Sequence, residues 1–227
     1  YTMQPVLAFD VYGTLIDTQG VTVELERRLS DVTKAGEFAK RWREKQLEYS
    51  FRHGLMGAYV SFTECTREAL VFTDRALQTD LSDNDRDHLM AVYAELPAFS
   101  DVVPALDQLR DAGIRCVAFS NGTEEAVSQL LTRAGVRSHM DVVISVDEVK
   151  RFKPDPAVYA YLRTQLETRP EHTWLISSNP FDVIGAAHAG LRSAWVRRHS
   201  DAPFDPWGIE PDMTVPELET LAERMMR

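Results

Sequence analysis

The residues best equipped for chemistry in this chain stand at the ends of short apolar runs. In "VLAFDVYGTLID" such a run ends on Asp10, and a carboxylate there costs free energy unless it is paired or used. Two places on, where a second acid could stand, is Tyr12. Ser120 and Asn121 close the run "IRCVAFSNG"; Ser177, Ser178 and Asn179 close "HTWLISSN", with Asp182 one turn later. Lys153, in the loop before "DPAVYAYLRTQL", is the natural positive partner to keep Asp10 ionised. A carboxylate, an ammonium, hydroxyls and amides from four separate segments form a set suited to nucleophilic and acid–base work.

These residues must be brought together by the elements that carry them. "PVLAFDV" reads as a buried strand ending in turn chemistry at Gly13 and Thr14. Between residues 21 and 95, "VELERRLS", "EFAKRWREKQLEYSFRHGL", "SFTECTREALVFTDRAL" and "DRDHLMAVYAEL" carry apolar residues at helical spacing, with no strand between them. Pro97 and the turn "FSDVVP" close this insertion. Strands and helices then alternate: "IRCVAFSNG", "TEEAVSQLLTRAG", "MDVVISVDEV", "DPAVYAYLRTQL", "HTWLISSN", "PFDVIGAAHAG", "RSAWVRR" and finally the helix "VPELETLAERMM". That alternation predicts an α/β fold, a doubly wound parallel sheet covered on both faces. The expected domains are an α/β core of residues 1–16 and 98–227 and a helical domain of residues 17–97. Ligands of such sheets sit beyond the carboxyl ends of the strands, where the polar residues above collect.

Composition narrows the partners. The 227 residues carry a net charge of −10, which argues against nucleic acid and anionic membrane surfaces. No apolar run approaches the ~20 residues of a membrane span. The opening Tyr1-Thr2-Met3-Gln4-Pro5 is too short and wrongly built for a signal peptide, so the expected location is cytoplasmic. Cys65 and Cys116 read as buried reduced thiols without metal spacing, and no two of the six histidines stand at ligand spacing; His53, His139 and His199 are expected in surface turns.

"FDVYGTL", "SNG", "KP" and "SSNPFD", in that order and with a helical insert after the first, resemble the haloacid dehalogenase-like superfamily. The closer resemblance is to the L-2-haloacid dehalogenases, whose arginine-bearing cap helix is similar to "WREKQLEYSF" at residues 42–51. Phosphatases of the superfamily place a second aspartate where this chain has Tyr12, and an acid in the fourth motif where it has Ser177-Ser178-Asn179. Magnesium is usually held by one or more carboxylates, so no metal and no cofactor are expected. A departing halide needs no proton, whereas phosphoryl transfer would lose its main stabiliser without the metal.

The resemblance implies that Asp10 is the nucleophile and Lys153 its counter-charge. Thr14 would orient Asp10, or only cap the turn. Ser120 would bind the substrate carboxylate, or with Asn121 only cap the following helix. Arg43, with Asn121 and Phe181, would cradle the halide; spacing alone does not choose Arg43 over Arg41, and the residues after it favour Arg43 by resemblance. Asp182, with Ser177 and Asn179, would hold Lys153 and activate the hydrolytic water. Tyr159 would hydrogen-bond near Asp10 or serve as core, and Tyr12, Leu47, Phe62 and Phe181 would wall the substrate, Leu47 and Phe62 being equally good core residues. Glu44 and Phe181 stand where relatives carry glutamine and tryptophan, which bears on substrate range. The implied reaction converts L-2-haloalkanoic acids to D-2-hydroxyalkanoic acids through an ester on Asp10, with fluoroacetate conceivable, in a homodimer. The rival readings are a magnesium-dependent phosphatase or phosphomutase of the superfamily, and a catalytically silent binding module.

Overall fold

The computed structural model describes residues 4–227; Tyr1–Met3, within the segment read above as unlike a signal peptide, lie outside the described residues. The chain forms two compact units, Tyr1–Ile16 with Ala98–Arg227, and Asp17–Pro97. β1 (Val6–Phe9) opens the first unit. The second unit then contributes α1 (Thr22–Leu29), α2 (Val32–Met56), α3 (Phe62–Leu77) and α4 (Asp83–Tyr93). The chain returns to the first unit with α5 (Val102–Asp111), β2 (Arg115–Ser120), α6 (Glu124–Arg133), β3 (Val143–Ser145) and α7 (Pro156–Leu166). It finishes with β4 (Thr173–Ser177), α8 (Pro180–His188), β5 (Arg192–Val196), β6 (Met213–Val215) and α9 (Leu218–Met225).

All strand pairs of the first unit are parallel, in the order β3-β2-β1-β4-β5-β6. This is the doubly wound α/β sheet that the alternation predicts. Every residue of β1 is buried, as a central parallel strand requires. Right-handed crossovers put α5 and α6 on one face and α7 and α8 on the other; accordingly α5 packs with α9, and α7 with α8. The winding reverses between β1 and β4, the switch point beside which ligands of such sheets bind. Phe9 stands opposite Ala118 and Ile176, so one residue on, Asp10 stands between Phe119 and Ser177.

Two elements escape the sequence reading. The turn read at "FSDVVP" is the start of α5: Pro104 sits in its first turn, where no backbone N–H is needed, and Val102, Ala105, Leu106 and Leu109 form its buried stripe. β6, three residues paired to β5 at the sheet edge, falls just before and into the start of "VPELETLAERMM", where only a helix is expected.

In the second unit α2 buries Ala35, Phe38, Ala39 and Trp42, and the same stripe continues through Gln46 and Ser50. Asp31, Ser61 and Ser82 cap the N-termini of α2, α3 and α4, the last in a capping box with Asp85. Among the described residues no helix is long and apolar enough to cross a membrane.

Candidate active site

Asp10 lies just past β1, 6% exposed, its backbone N–H donating to Ile176 O at 2.9 Å. Its Oδ2 accepts from Thr14 Oγ1 at 2.9 Å, Ser177 Oγ at 2.9 Å and Asn179 Nδ2 at 2.6 Å. Lys153 Nζ approaches Oδ1 at 3.2 Å. The loops after β1 and β4 are tied together: Ser178 N donates to Thr14 Oγ1, Ser178 Oγ to Gly13 O, and Asn179 Nδ2 also to Tyr12 O. Gly13 takes a φ of +84° in the tight turn that swings Thr14 back over Asp10.

Lys153, 1% exposed, donates to Asp10, to Asp182 Oδ2 at 2.8 Å and to Phe119 O at 2.8 Å, and its Nζ lies 4.3 Å from the Phe119 ring centroid. Three acceptors account for all three ammonium protons. Burial works against the charge, but Asp10 and Asp182 prevail and hold the lysine pKa above its usual value. Asp182, in the first turn of α8, is fully buried. Burial pushes its carboxyl up to about 6; Lys153 pulls it down and Asp10 pushes it further up. Asn121 Oδ1 accepts from the backbone N–H of Lys153 at 3.0 Å and so fixes the lysine's loop.

Several side chains do other work than the sequence suggests. Tyr159 is fully buried and its hydroxyl donates to Asp182, to Oδ1 at 2.8 Å and to the backbone O at 3.2 Å. It reaches that far because residue 185 is glycine: a Cβ there would stand 2.6 Å from Tyr159 Oη and from Pro154 Cβ. Ser177 and Asn179 serve Asp10, whereas Lys153 is held by Asp10, Asp182 and Phe119 O. Ser120 Oγ is buried and accepts from Gly122 N at 3.1 Å, a local turn bond. Gly122 itself is required by close packing, since a Cβ would meet Val127 at 2.7 Å and the Tyr12 ring at 3.2 Å. Phe181 is half-buried at the start of α8.

Sequence reasoning missed an outer support. Arg198, after β5, donates through Nη1 to both carboxylate oxygens of Asp101 at 2.7–2.8 Å and through Nη2 to Thr14 O at 2.6 Å. Trp195 Nε1 donates to Ser178 O at 3.1 Å. Only the charged pair "RR" at a strand end hinted at either.

In the second unit, Arg43 Nη1 donates to Gln46 Oε1 at 2.6 Å, and Tyr93 OH donates to the same oxygen at 3.1 Å. Gln46 is fully buried and its amide donates to Thr66 Oγ1 at 2.7 Å. Arg43 is thus anchored on α2, while Glu44 is exposed. Leu47 is half-buried on α2, and Phe62 is 2% exposed at the start of α3. Two histidines leave the expected surface turns: His53 lies in the last turn of α2, and the His139 side chain is 10% exposed and bonded to Asp107.

The sequence model of the haloacid dehalogenase-like hydrolases matches residues 5–190. The chain is 35% identical to haloacetate dehalogenase H-2 of Moraxella sp. strain B, over 95% of each chain. It is 34% identical to an (S)-2-haloacid dehalogenase of Pseudomonas sp. strain YL, over 96% of this chain and 92% of that one. Its structure is similar to the L-2-haloacid dehalogenase of Xanthobacter autotrophicus with chloropropionic acid covalently bound, with a TM-score of 0.89 and 32% identity over 97% and 98% of the two chains. Sequence and fold together make this chain a member of the L-2-haloacid dehalogenase family, within the haloacid dehalogenase-like hydrolases.

Proposed function

We propose that this protein hydrolyses L-2-haloalkanoic acids to D-2-hydroxyalkanoic acids, with Asp10 as nucleophile. The observation that carries the proposal is the setting of Asp10: a buried carboxylate facing a fully engaged ammonium, with three donors on one oxygen. One oxygen attacks the halogen-bearing carbon in line, the carbon inverts, and halide departs without a proton. Arg43 is assigned to the departing halide by family resemblance; its anchor on Gln46 supports a preorganised guanidinium. Tyr12, Leu47, Phe62 and Phe181 are assigned to the substrate's side chain, and Ser120 with neighbouring backbone N–H groups to its carboxylate.

Water then attacks Cγ of Asp10, and charge builds on the carbonyl oxygen of the ester. Thr14, Ser177 and Asn179 stand ready to receive that charge. Asp182, ionised and steadied by Lys153 and Tyr159, takes the proton of the water. The two carboxylates divide the work by environment, one as nucleophile and one as base.

The donor set gives a divalent ion little purchase. Each oxygen of Asp10 already faces hydrogen-bond donors, Lys153 places a positive charge beside it, and Tyr12 supplies no carboxylate. The relative named for haloacetate supports haloacetates as substrates, and fluoroacetate belongs in the assay. The test is halide release from each enantiomer of 2-chloropropionate, with magnesium added or withheld. Chloride from the L enantiomer, D-lactate as product and no dependence on magnesium are expected. Magnesium-dependent release from p-nitrophenyl phosphate in place of halide release would replace this reading with a phosphatase. A single turnover in ¹⁸O-water should label Asp10 before product.

A further inference from the structure

We infer that the second unit carries a binding site for a zinc-class divalent cation, formed by His53 of α2 and by Cys65 and Glu68 of α3. The ligand atoms of these three side chains all lie within 4.8 Å of one another. Cys65 and Glu68 are three residues apart and share one face of α3, turned toward α2. His53 Nδ1 lies 2.8 Å from Ala58 O, a bond in which the ring nitrogen donates, so Nε2 is the nitrogen that faces Glu68 Oε2, at 2.8 Å. A backbone carbonyl on the far ring nitrogen is the outer support that fixes the tautomer of metal-binding histidines.

The donor set selects the ion. One thiolate, one imidazole and one carboxylate suit zinc and its borderline-soft neighbours rather than magnesium or calcium. Bonds of about 2.0–2.3 Å put the ligand atoms of a tetrahedron roughly 3.3–3.8 Å apart, which lies between the 2.8 Å of the His53–Glu68 contact and the 4.8 Å limit of the cluster. Cys65 is fully buried, while the side chains of His53 and Glu68 are 18% and 37% exposed, so they can adjust and an ion can enter from their side. Water fills the fourth position.

Burial and the nearby Glu68 push the Cys65 thiol up to about 12, so without an ion it stays protonated and unreactive. Binding a dication displaces that proton, and His53 Nε2 must offer its lone pair to the ion. Release of the thiol proton makes binding stronger as pH rises. The ion would clasp α2 to α3 and takes no part in the reaction proposed for Asp10.

The test uses cobalt(II) and zinc(II) on the chelator-treated, tag-free protein. Cobalt should raise a thiolate-to-metal charge-transfer band in the near ultraviolet, at one ion per chain, and zinc should abolish it. Cys65→Ser should lose the band, His53→Gln should weaken binding by about 100-fold or more, and Cys116→Ser should leave both unchanged. Zinc should raise the Tm of the wild type but not of His53→Gln. Absence of the band in the wild type, or its survival in Cys65→Ser, would overturn the site.

Discussion

The sheet edge of the first unit and the α2–α3 network of the second solve the same problem, holding a charged side chain in place, by different means. Around Asp10 the charges are many and their supports come from loops after separate strands: Thr14, Lys153, Ser177, Asn179 and Asp182. Arg43 is supported on its own helix by the neutral amide of Gln46, three residues along. Topology gathers the first set, because a parallel sheet delivers every strand end to one edge. Helix periodicity gathers the second, placing Gln46 on the stripe that buries Trp42. A loop-built site can collect opposed charges and shift their pKa values; a helix-built anchor holds one group steady.

The comparison can be broken at its strongest point first. Asp10→Ala should abolish halide release, by ~10⁴-fold or more. A variant that still releases halide would end the nucleophile assignment. Asn179→Ala or Ser177→Ala removes one donor from Oδ2, and turnover should fall by roughly 10²–10³-fold. The expected signature is a burst of halide followed by a slow steady state, because the ester forms and then waits; equal slowing of both phases would move these donors to the first step.

Asp182 sharpens the contrast through pH. As pH falls through about 6 its carboxyl takes up a proton and stops acting as a base, so turnover should decline at or below that pH. Asp182→Asn should be slower by ~10²–10⁴-fold and should lose that acid limb. The smallest effect is expected in the second unit. Gln46→Leu strands the partners of a buried amide, at a cost of about 1–3 kcal/mol in stability. Since Arg43 is assigned to the departing halide, kcat should drop with the single-turnover rate at which Asp10 is esterified.

The first unit is the more legible in sequence for the same physical reason. "FDVYGTL", "SNG", "KP" and "SSNPFD" are contiguous turns, so their chemistry can be read locally even though their meeting depends on the sheet. What local reading missed is support acting across distance. Arg198 reaches Thr14 O and Asp101 from another strand end, and Gly185 matters only because Tyr159 passes beside it. Helix α5 was hidden by Pro104, a residue that breaks helices in the middle but is harmless in the first turn. In the second unit His53 was read apart from Cys65 and Glu68, because a cluster bridging two helices has no spacing in sequence.

The push that Asp10 exerts on Asp182 carries a consequence for timing. In the proposed mechanism an ester on Asp10 carries no negative charge, so that push is absent while the pull of Lys153 remains. Asp182 then sheds its proton more readily than in the resting enzyme. On that mechanism, the acid limb of ester hydrolysis should fall at lower pH than the titration of Asp182 in the free protein, so the base stays available where the resting carboxyl would already be closing.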